Sequence, residues 1–68
     1  MDEISVIACK QDDNFVVIAS GNYETLSNIF KVIEEDFNNA KLITLNTDEY
    51  TSKMDDLQNL NELIASKF

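Results

Sequence analysis

Two stretches of this chain, Ile4 to Cys9 and Phe15 to Ala19, are apolar on both sides of the strands they would form. In the first, Ile4, Val6 and Ala8 point one way while Ile7 and Cys9 point the other. In the second, Phe15 and Val17 oppose Val16 and Ile18. A sheet with one solvated face alternates apolar with polar residues, and these stretches do not. The polar run Lys10-Gln11-Asp12-Asp13-Asn14 between them is turn-prone, so the pair reads as a β-hairpin with a five-residue loop. A fold built on this hairpin must cover both of its faces, with its own helices or with another molecule.

The remaining elements follow from punctuation and period. Ser20-Gly21-Asn22 ends the second strand with the only glycine, and Asn22 is a good helix N-cap. Leu26, Ile29, Phe30, Ile33 and Phe37 recur at helical spacing, predicting a helix from about Tyr23 to Asn38. Asn38-Asn39 would close it, because asparagine tolerates the left-handed C-cap conformation. Ala40 to Leu45 reads as a third strand and Asn46-Thr47-Asp48 as the turn leaving it. Ser52-Lys53-Met54-Asp55 resembles a capping box in its acidic form, opening a second helix with the stripe Met54, Leu57, Leu60, Ile64 and Phe68. The order ββαβα predicts an α+β fold: a small two-layer sandwich in which a three-stranded sheet, in the order 2-1-3, is packed with two helices. Residues 1–68 are read as a single domain.

A domain of this size buries only about 60% of the surface its unfolded chain exposes. Small domains commonly add disulfides, metals or oligomerisation. One cysteine closes no internal disulfide, and without histidine a Cys/His zinc site is impossible. Self-association is the route left, and a homodimer is the expectation. Its proposed interface is Ile7, Val16 and Ile18. Two short helices are hard pressed to cover both faces of the hairpin; one helix on each face is the alternative that would make all these residues core.

Charge narrows the function. Thirteen carboxylates face five cations, all of them lysine, for a net charge of −8. Such a chain is poorly suited to a nucleic-acid backbone or an anionic membrane surface, which demand clustered cations. The opening Met-Asp-Glu lacks the basic region and apolar run of a signal peptide, and no stretch approaches the ~20 apolar residues of a membrane span. A cytoplasmic location is the expectation, and it suits a lone thiol at Cys9. Cys9 has no histidine to activate it. Asp12-Asp13-Asn14 lacks the alternating ligands and glycine of a calcium loop. Neither a metal, a cofactor nor an enzymatic activity is expected.

Two surfaces stand out. Glu34-Glu35-Asp36 falls at the C-terminal end of the first helix, where the dipole disfavours anions by about 0.3–1 kcal/mol per charge. Lys31 offsets only a few tenths of a kcal/mol of this. Charge placed against a local rule can mark function, although a solvated face that aids solubility explains it as well. Val32 and Leu63 are each displaced from the apolar stripe of their helix and are candidate contacts for a partner. The leading expectation is a small acidic protein-binding module, an inhibitor, adaptor or regulatory protein, that meets another protein with a basic surface through Glu34, Glu35, Asp36, Val32 and Leu63. An acidic nucleic-acid mimic of the kind phages encode is the first alternative; a purely structural homo-oligomer is the second.

Overall fold

The computed structural model describes residues 2–68. Its elements are β1 (Glu3–Gln11), β2 (Asn14–Gly21), α1 (Tyr23–Ile33), β3 (Ala40–Asn46), α2 (Thr47–Lys53) and α3 (Leu57–Lys67). The fold is α+β, with one sheet in the order β2-β1-β3. Central β1 is antiparallel to both neighbours, so β2 and β3 run parallel and α1 carries the chain across from one to the other.

The hairpin loop is tighter than its composition suggests. Gln11 pairs with Asn14, leaving only Asp12 and Asp13 in the turn. Asp12 has φ of 56° and is the only non-glycine residue with positive φ among those described. A positive φ at the first central position alone is the pattern of a type II′ turn, whose twist matches the flanking strands and whose preferred residue there is glycine. Asp12→Gly is therefore expected to stabilise the protein by about 0.5–1 kcal/mol. A thermal melt should show a midpoint raised by ~2–8 °C; an unchanged or lower midpoint would mean that aspartate carries no strain at this turn.

The β1–β2 register slips once. Ile7 faces Ala19 while Ala8 faces Val17, which makes Ile18 the extra residue of a β-bulge. Alternation along both strands supplies two separate cores. On one face Val6, Ala8, Ile43 and Leu45 pack with Leu63 and Ile64 of α3, flanked by Phe15, Val17 and Tyr50. On the other, Ile7, Cys9 and Ala40 pack with Leu26 of α1, flanked by Ala19, Phe30, Ile33 and Leu42. Helices thus lie on both faces of the sheet, a three-layer arrangement where two layers were expected. Val6, Ile7, Leu45 and Ile64 are fully buried, each burial stabilising by about 1.5–3 kcal/mol. The hairpin's two apolar faces are met largely within the chain, and Ile7 is core beneath α1.

Three local features differ from the sequence expectation. α1 stops at Ile33, and Asp36 and Phe37 donate back to the Ile33 carbonyl at 2.9 and 3.0 Å in a following turn. Three consecutive carboxylates at the carbonyl end of a helix oppose its dipole, which favours ending the helix before them. The segment expected to be a turn after β3 is instead α2, capped by Asn46, whose side chain accepts from the Glu49 amide at 3.1 Å. The capping box at Ser52 does not form, because the Ser52 hydroxyl donates to the Glu49 carbonyl inside α2. Asp56 caps α3 in its place, accepting from the amides of Gln58 and Asn59 at 3.1 and 3.3 Å. The expected second helix is therefore two helices. Phe68 follows α3 and folds over the sheet: its ring lies 4.8 Å from that of Phe15, and Lys41 donates to its main-chain oxygen at 2.7 Å.

Candidate functional site

A three-stranded sheet has two edges, and here they differ in chemistry. β3 exposes Lys41, Thr44 and Asn46, polar side chains that discourage an approaching strand. β2, Asn-Phe-Val-Val-Ile-Ala-Ser-Gly, carries no charge and no proline over its whole length. Val16 and Ile18 on it are 40% and 44% exposed. Its pairing with Cys9 places Val16 on the α1 side of the sheet.

On the opposite side, β2 and α3 enclose a groove of about 450 Å³ lined by Asn14, Phe15, Val16, Val17, Leu57, Leu60 and Asn61. Leu57 is the informative member. It lies seven residues before the fully buried Ile64, hence on the same face of α3. Yet Leu57 is 75% exposed. The apolar stripe of α3 thus begins at the rim of the groove beside β2, with its first residue uncovered.

Asn61 closes one end of the groove. In a two-residue hairpin the residues flanking the loop form the hydrogen-bonded pair, so the Phe15 amide points away from β1. Asn61 Oδ1 accepts from that amide at 2.8 Å, and Asn61 Nδ2 reaches Asn14 Oδ1 at 3.5 Å. A side chain from α3 therefore satisfies the first outward-facing donor of the β2 edge. Asn61→Ala is expected to cost about 1 kcal/mol. It should also speed hydrogen exchange at the Phe15 amide ahead of its neighbours; unchanged exchange there would show that Asn61 does not guard this donor.

The residues singled out from the sequence fall into separate places. Glu34 caps α1, and Glu35 and Asp36 follow in an exposed turn. Val32 projects into solvent at 76% exposure. Leu63 does not: it is 8% exposed and belongs to the core beneath α3, which removes it as a partner contact. Of the three proposed dimer contacts, Ile7 is inaccessible, while Val16 and Ile18 share the open edge. The sequence reading missed Leu57 and Asn61, although a cue was present. Asn61 interrupts the face made by Leu57, Leu60 and Ile64, and a polar residue on an apolar helix face needs a partner there.

Among the described residues no group of three or more potential ligands is placed to hold a metal ion, and no helix is long and apolar enough to cross a membrane. No protein-family model, curated protein or solved structure matches the chain.

Proposed function

We propose that this chain is a small protein-binding module, working as an inhibitor, adaptor or regulatory protein, that docks through the β2 edge and the groove beside it. The observation that carries this reading is the uncharged β2 strand, open at its edge and flanked by exposed apolar residues: Val16 on one side, Leu57 on the other, and Ile18 at the bulge. Edges of this kind are ordinarily blunted by charge, and a chain with a net charge of −8 has ample charge to spend there. The carboxylates elsewhere steer the molecule toward a basic partner surface, raising association rates in a salt-dependent way. They also make two copies repel. The reading includes a cytoplasmic site of action, consistent with Cys9 as a buried free thiol. It assigns no catalytic step to the chain.

A photo-crosslinking residue at position 57, in the cell that makes the protein, tests the reading, with the exposed Ala65 as the control position. The expected result is one adduct heavier than two 7.7 kDa copies from position 57 and none from position 65. An adduct of two copies would favour a structural homo-oligomer using this edge. Absence of any adduct would overturn the proposal.

A further inference from the structure

We infer that the partner contributes an extended segment that adds to β2 as a fourth strand, with apolar residues at its centre and lysine or arginine at its ends. This rests on the protein-binding reading and specifies its mode. Three observations carry it.

The first is the reach of α3. Its inward stripe runs Leu57, Leu60, Ile64; Leu57 and Leu60 line the groove beside β2, and Leu57 is 75% exposed while Ile64 is fully buried. The sheet ends at β2, so a strand added there would lie beside the part of the stripe now facing solvent. The second is the backbone. Past Phe15, whose amide Asn61 holds, the next outward-facing residue of β2 is Val17, whose N–H and C=O point away from β1. Strand addition uses main-chain bonds of this kind for affinity and pockets for alternate side chains for specificity. One side chain of the incoming strand would enter the groove among Phe15, Val17, Leu57 and Leu60, and its neighbours would lie against Val16 on the other face. The Ile18 bulge limits the straight ladder to the hairpin half of β2, so the recognised segment is short.

The third observation is charge. Asp12 and Asp13 immediately precede Asn14, and Asp55 and Asp56 immediately precede Leu57; all are exposed. These four carboxylates flank the groove lining, against two lysines, Lys10 opposite Phe15 and Lys53 two residues before Asp55, which leaves the rim net acidic. An acidic rim around an apolar floor selects a segment with basic flanks and opposes a second copy of this chain.

The test is titration of the full chain with an eight-residue capped peptide, its four central residues alternating valine and leucine and two lysines at each end. A glutamate-ended peptide of the same centre is the comparison. Backbone amide NMR is expected to show saturable binding of the lysine peptide only, with shifts centred on Asn14–Val17 and slowed exchange at Val17. Leu57→Asn and, independently, Val16→Asn should each weaken binding roughly tenfold, and Val32→Asn should leave it unchanged. Both sites are exposed enough that the fold survives either change. Shifts centred on Glu34–Asp36 that are indifferent to Leu57→Asn would overturn the inference in favour of the acidic turn. A doubled solution mass with no peptide binding would overturn it in favour of self-pairing, and no binding at millimolar peptide would overturn it outright. If the crosslinked adduct at position 57 forms while the peptide fails, strand addition falls and the protein-binding reading stands; failure of both removes both.

Discussion

Replacing Ile64 with alanine is expected to remove about 2–5 kcal/mol of stability. Ile64 is fully buried and holds α3 against Val6, Ala8, Ile43 and Leu45 on two strands. A domain of this size has roughly 3–10 kcal/mol in all, at 0.05–0.15 kcal/mol per residue. One truncation therefore consumes a large share of the total. Urea denaturation should show a much lower midpoint with little change in slope, the sign of lost stability in an unchanged native state. Ile64→Val, which removes a single methylene, should cost only ~0.5–1.5 kcal/mol. If the alanine variant costs no more than the valine variant, α3 is not held by this side chain.

The second large effect concerns the opposite face and takes a different form. Leu26 is the only residue of α1 that is fully withdrawn from solvent, supported by the half-buried Phe30 and Ile33. Leu26→Ala is expected to cost about 2–5 kcal/mol, and the loss should be local before it is global. The α3 side of the sheet keeps its own core, so α1 can detach while β1, β2, β3 and α3 remain folded. Native-state hydrogen exchange should show Tyr23–Ile33 amides losing protection while the amides of α3 keep theirs. Uniform loss across both helices would instead mean that the two cores unfold as one unit.

How much of this architecture was legible depended on whether the sequence carried a period. The hairpin, α1 and β3 announce themselves through β-branched runs, an asparagine cap and the Leu26–Ile33 spacing. α2 does not: Thr-Asp-Glu-Tyr-Thr-Ser-Lys buries no residue and has no apolar stripe, so its helix rests on the Asn46 cap and half-buried Tyr50. Missing α2 also misplaced the start of α3. Leu63 lies about 100° from the centre of the Leu60, Ile64 and Phe68 stripe, and it is buried because the inward face of α3 is wide enough to take it in beside Ile64. Phe37 extended the apparent period of α1 beyond the helix, to a residue that is 42% exposed. Double apolarity of the hairpin was correctly read, yet both helices were expected on one face; α1 lies on the other and covers Ile7, which had been assigned to a partner. The groove could not be read from periodicity at all, because Leu57 obeys the core pattern and yet lines an open groove beside β2.

Cys9 gives the molecule a chemical clock. It is the only thiol in the chain and lies in the core beneath α1, shielded by that helix and by nothing from the α3 side. An alkylating reagent can reach it only when that shield lifts, so under fast reclosing the labelling rate measures the fraction of molecules in which α1 is lifted from the sheet, without mutation or isotope. The ratio of the rates measured with and without a bound partner would report, as a change in the open population, how firmly occupation of one edge of the sheet holds the face behind it.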